Sequence, residues 1–171
     1  EPQRDLARIG IANQTTMLSG ESLAIAAELR TSMVARYGEA GAAERFRTFD
    51  TICSATQDRQ DAVLSLLENS VGVMVVIGGY NSSNTAHLAA LCAKQVPTYH
   101  IEDSSGIAPE TGLIRHKPVG GHEEMMTPGW LRSDVQVVGV TAGASTPNVK
   151  VGETIARVFA TRGIDPAAAL G

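Results

Sequence analysis

The run Val73-Met74-Val75-Val76-Ile77 is continuously apolar, and it limits what this chain can fold into. A strand with no polar alternation is covered on both faces, which is the setting of a parallel sheet flanked by helices. At five residues it is also far too short to span a bilayer. Around it the pattern switches between short β-type runs and helical stretches, so the expected fold class is α/β: β-α units with a mainly parallel sheet. Strands are expected at residues 7–13, 46–52, 73–77, 97–101 and 135–140. Helices are expected at 19–37, 56–69, 84–95 and from Pro147 to about 162.

Within the first helix, Ala26, Leu29, Met33 and Tyr37 share one face, and Gly38 and Gly41 are expected to end it. The second is expected to bury Ala62, Val63, Leu66 and Leu67. Residues 103–130 are rich in Gly, Pro and His. They predict loops, one short strand near 113–116 and a turn at Pro128-Gly129. Residues 167–171 are expected to fray.

Composition serves mainly to exclude. With 43% apolar and 19% charged residues the chain can bury a core, and its net charge of −4 with no basic run argues against nucleic-acid or membrane-surface partners. Two cysteines, Cys53 and Cys92, are too few for a disulfide framework and point to a reducing compartment. The sequence begins without Met or a signal-peptide pattern and is expected to be part of something longer.

Four strand-to-helix turns carry the chemistry: Asn13-Gln14-Thr15-Thr16, Cys53-Ser54-Ala55-Thr56, Gly78-Gly79-Tyr80-Asn81-Ser82-Ser83-Asn84 and Thr141-Ala142-Gly143-Ala144-Ser145-Thr146. In an open α/β sheet such turns lie at the carboxyl ends of the strands, where ligands bind. Each is small, uncharged and rich in hydroxyl or amide donors. Free N–H groups at a helix N-terminus suit an anion, and phosphate is the natural candidate. No Walker A loop or GxGxxG fingerprint is present, so a standard nucleotide site is not indicated. Any one turn could be a simple helix cap; two serines flanked by asparagines exceed what one cap needs.

Cys92 lies in an apolar helix and reads as a core residue. Cys53 enters a helix N-terminus, which lowers a thiol's pKa and suits a nucleophile or a metal ligand. The four histidines show no paired ligand spacing, and His87 is expected to face solvent. A cysteine-nucleophile hydrolase would want a glycine-flanked elbow and a nearby histidine, which Ile52-Cys53-Ser54 lacks. An iron-free phosphate- or sugar-phosphate-binding module remains the main alternative.

These turns, extended to Asp50–Ala62, Gly79–Thr85 and Gly139–Pro147, resemble in order the motifs of the 4-hydroxy-3-methylbut-2-enyl diphosphate reductases, also called LytB or IspH. The likeness runs from about residue 9 to 159 and is nearest to the cyanobacterial and plastid branch. It implies part of a pseudo-symmetric three-domain assembly, with residues 1–49 as the second half of a middle α/β domain and 50–171 as the C-terminal α/β domain with its final helix. It implies an iron–sulfur cluster (4Fe-4S) held by three cysteines, of which Cys53 would be one. Ser82, Ser83, Asn84 and Ser145 would cradle the substrate diphosphate. Thr15 would stand beside the substrate hydroxyl as the catalytic threonine, with Thr16 and Thr56 in support. A ferredoxin or flavodoxin would supply electrons, and the setting would be cytoplasm or plastid stroma. The family's N-terminal half, with two cysteines, three histidines and a proton-delivering glutamate, has no counterpart here.

Overall fold

The computed structural model of the chain describes residues 2–14, 18–49, 51 and 54–165. It divides into two compact units, residues 1–57 and 58–171.

The first unit opens with a short helix, α1 (Pro2–Asp5), and strand β1 (Ile9–Ala12). A long helix, α2 (Ser19–Arg45), then returns the chain so that β2 (Phe46–Phe49) pairs parallel to β1, with Ile9 opposite Phe46 and Ala12 opposite Phe49. Parallel neighbours need such a crossover. Of the two glycines expected to end the helix, only Gly38 leaves helical geometry (φ 69°, ψ 171°), a conformation that suits a residue with no Cβ. Gly41 stays helical, where a Cβ would stand 2.9 Å from the Cβ of Tyr37. Met33, Ala42 and Phe46 are the buried centre, with Ile9, Ile11, Val34 and Tyr37 against them. Of the expected apolar face Ala26 and Met33 are buried and Tyr37 is half-buried, but Leu29 is 36% exposed.

The second unit is built on the expected apolar strand, β3 (Val73–Ile77), whose five side chains are all buried. It is the middle of a parallel sheet ordered β4-β3-β8, with β4 at Thr98–Ile101 and β8 at Val138–Ala142. Alternation along β3 sends Met74 and Val76 to one face. There Val63 and Leu67 of helix α3 (Ser54–Leu67) and Leu88, Ala89 and Cys92 of helix α4 (Ser83–Ala93) cover them. Val73, Val75 and Ile77 point the other way, into Ile101, Ile107, Ile114 and Trp130 and the half-buried Val151 and Val158 of helix α5 (Asn148–Thr161). Each such side chain contributes about 1.5–3 kcal/mol by leaving water. On α3, Ala62 is exposed and Leu66 half-buried, so the helix turns a narrower stripe inward than expected.

Three expectations are corrected here. Residues 103–130 are not loops around one strand. A 3₁₀ turn (Ser104–Gly106) leads into an antiparallel sheet ordered β5-β6-β7, at Ile107–Ala108, Leu113–His116 and Met125–Pro128. The bridge between His100 and Lys117 fastens this sheet beside β4. The strand expected at 135–140 forms later, because its register against β3 puts Val138 opposite Val73 and Ala142 opposite Ile77. Pro147 is the N-cap of α5 rather than its first turn. Among the described residues no helix is long and apolar enough to cross a membrane.

Candidate functional site

Parallel pairing brings strand carboxyl ends side by side, and it does so within each unit. In the first, β1 and β2 end together. The Thr51 hydroxyl accepts the Asn13 N–H at 2.7 Å and donates to the Asn13 carbonyl. Asn13 and Thr51, which follow β1 and β2, are thereby joined. Thr15, Thr16 and Cys53 are the residues expected at this site. Those three residues themselves lie outside the described residues. Thr56 is a buried residue of the first turn of α3, 4% exposed.

In the second unit β3 and β8 end together, and the two loops that follow are stitched at one atom. The Ile77 carbonyl accepts the Gly143 N–H at 2.9 Å and the Thr146 hydroxyl at 3.1 Å. Gly78 N–H donates in turn to the Ile101 carbonyl at the end of β4 (3.0 Å). Residues 143–146 form a tight turn closed by Thr146 N–H to the Gly143 carbonyl, with Ser145 exposed at its corner. Across from it, Ser82 caps α4 by accepting the Thr85 N–H at 3.3 Å, and Ser83 opens the helix, exposed. The structure thus brings Ser82, Ser83, Asn84 and Ser145 to one edge of one sheet.

Asn84 is the telling residue. It is 5% exposed, yet neither its Oδ1 nor its Nδ2 has a partner. A buried unpaired polar atom costs about 1–3 kcal/mol, more than a helix that already has Ser82 as its cap requires. Thr85 beside it is 1% exposed with its hydroxyl also unpaired. Helix N-terminal N–H groups, hydroxyls and an amide suit an anionic oxygen, and no acidic side chain belongs to either loop.

Sequence reasoning missed the residues that hold these loops. His100, at the end of β4, places Nε2 2.9 Å from the Gly78 carbonyl; since a carbonyl only accepts, that nitrogen carries the proton. Burial holds the imidazole below its ordinary value of 6.5, with the bond to Gly78 opposing the shift, so it is neutral at neutral pH. Tyr80 packs its ring edge-on against His100 at 5.1 Å, and its hydroxyl meets Glu124 beyond β6. Burial first, and that carboxylate second, raise the Tyr80 phenol above its ordinary value. No spacing in the sequence announces this group, because its members come from separate layers. His87, expected in solvent, is half-buried on α4.

The donor set for a metal cluster is incomplete. Among the described residues no group of three His, Cys, Asp or Glu side chains could hold a metal ion. Cys92 is fully buried in the core and burial pushes its thiol up to about 12, so it is no ligand. One remaining cysteine, Cys53, does not make a site for a four-iron cluster, which takes three or four.

The model of the LytB protein family matches residues 1–159. A 4-hydroxy-3-methylbut-2-enyl diphosphate reductase of Gloeobacter violaceus is 45% identical over 172 residues, spanning 100% of this chain and 41% of that protein. Its namesake in Microcystis aeruginosa is 47% identical over 161 residues, spanning 94% and 40%. A solved structure of (E)-4-hydroxy-3-methyl-but-2-enyl diphosphate reductase, the terminal enzyme of the non-mevalonate pathway, is 31% identical with a TM-score of 0.50, covering 89% of this chain and 43% of that one. The Plasmodium falciparum E-1-hydroxy-2-methyl-but-2-enyl-4-diphosphate reductase has a TM-score of 0.63 at 17% identity, a likeness of fold alone. The chain spans about two fifths of the length of the curated relatives it matches.

Proposed function

Because this chain belongs to the LytB protein family, we propose that it is the C-terminal portion of a 4-hydroxy-3-methylbut-2-enyl diphosphate reductase and supplies that enzyme's diphosphate cradle. The observation that carries the reading is the joining of the β3–α4 and β8–α5 loops at the Ile77 carbonyl, with the Asn84 amide buried and unpaired at the start of α4. Hydrogen bonds from such donors to a charged oxygen contribute about 1.5–3 kcal/mol each. The division proposed from the sequence, 1–49 and 50–171, goes with this reading.

In the full-length protein, Cys53 acts as one of three thiolates for an iron–sulfur cluster, whose chemistry is reduction of the substrate with loss of its allylic hydroxyl. Thr15 stands beside that hydroxyl, supported by Thr16 and Thr56. This chain's own work is to bind and orient the diphosphate. Electrons come from a ferredoxin or flavodoxin, and the work is part of isoprenoid biosynthesis in cytoplasm or plastid stroma.

The test has two arms. The 171-residue chain alone should show no stoichiometric iron after anaerobic reconstitution and no reductase activity; a full cluster on it would overturn the ligand assignment. In the full-length protein, Ser83→Ala or Ser145→Ala should raise KM by about tenfold or more, the worth of one charge-assisted bond. Unchanged KM in both would remove the cradle. Substrate binding that persists in Cys53→Ser, together with no iron in the unsubstituted protein, would favour an iron-free phosphate-binding module.

A further inference from the structure

We infer that Thr85, which no motif assigns a role, is a positioning residue that sets the spacing between the two loops of the diphosphate cradle; the inference rests on the cradle reading above. Three observations converge on its hydroxyl. Thr85 is 1% exposed, and its N–H bond to Ser82 fixes the backbone that carries this enclosed side chain. Its Oγ1 has no hydrogen-bond partner, so it is not held there for a bond. And it fills the space vacated by a glycine on each loop. A Cβ on Gly78 would come 2.7 Å from Thr85 Oγ1, and a Cβ on Gly143 would overlap the same atom outright.

The two glycines are not alike. Gly78 has φ 149°, which by itself favours glycine. Gly143 has no such backbone demand; what excludes a side chain there is Thr85. Gly143 opens the turn that presents Ser145, and Gly78 opens the loop that ends at Ser82. The Thr85 hydroxyl is therefore a spacer between the serine pair and Ser145. Donors that must meet one anion from two sides depend on that spacing to within about 0.5 Å. Thr146 backs the arrangement from the other side, its Oγ1 2.9 Å from the Gly78 Cβ position.

The experiment measures inorganic pyrophosphate binding by calorimetry, and KM and kcat, in the full-length protein with a thermal midpoint for each variant. Thr85→Val replaces the hydroxyl by a bulkier methyl and should weaken pyrophosphate and raise KM about tenfold, while Thr85→Ser, which keeps the hydroxyl, should stay within about twofold. The thermal midpoint of Thr85→Val should not fall, since an unpaired buried hydroxyl is lost. Gly143→Ala should bind weakly, and Thr85→Ala/Gly143→Ala should bind better than Gly143→Ala alone, because the added methyl takes the space the hydroxyl leaves. Wild-type affinity in Thr85→Val, or no recovery in the double variant, would overturn the spacer. Failure of the unsubstituted protein to bind pyrophosphate would instead remove the cradle, and the spacer with it.

Discussion

Along β3 of the parallel sheet every side chain is buried, whereas along β6 of the antiparallel sheet burial alternates, and along β7 it nearly vanishes. The two sheets adjoin at β4, so the difference is one of coverage. The parallel sheet has helices on one face and the antiparallel sheet with α5 on the other. The antiparallel sheet has that core on one side only. The middle strand of this doubly covered layer carries no polar residue, and the site's loops leave from the layer's strand ends. A singly covered layer leaves every other residue free for surface duties, which here means Arg115, bonded to Glu124 just before β7, whose carboxylate meets Tyr80.

The contrast breaks or sharpens under substitution. The largest effect is expected in the core. Ile77→Ala and Ile114→Ala, both at 0% exposure, should each cost about 2–5 kcal/mol in urea unfolding. Met126→Ala on β7, 51% exposed, should stay within about 0.5 kcal/mol. A Met126 cost equal to that of Ile114 would mean that β7 is covered on its outer face.

A smaller effect is expected from pH. Burial depresses both His100 at the end of β4 and His116 on β6 below 6.5. The unfolded chain then takes up these protons before the folded one does. Stability should be full above about pH 6.5 and fall as pH drops from there through the folded pKa values. His100→Phe should flatten part of that slope, read from thermal midpoints between pH 7 and 5; a slope of opposite sign would show the imidazoles charged in the fold. The smallest effect is expected at the surface. Arg115 and Glu124, 2.8 Å apart but 40% and 37% exposed, should contribute about 0.2–1 kcal/mol, less in high salt. A double-mutant cycle measures it, and a coupling well above that range would show the pair shielded from water.

How much of this was legible depended on how local the signal was. β3, α4 and α5 could be read because apolar period and helix-start residues lie within a few positions of one another. Cys92 could be placed in the core for the same reason. β5 and β7 could not be read, since two or four residues with mixed exposure carry no period of their own. The serines and Asn84 were legible as donors, but the contacts that brace their loops, His100 on the Gly78 carbonyl and Thr85 against Gly143, were not, because these join residues far apart in the chain.

The sequence by itself determined the α/β class, the buried middle strand and the donor-rich turns, since these follow from side-chain chemistry read in order. Only the tertiary structure decided that Gly78, Thr85, Gly143 and Thr146 meet at one point. That meeting depends on the register between β3 and β8, which is set by hydrogen bonds between strands some sixty residues apart. Local preference does not reach across such a distance; packing does.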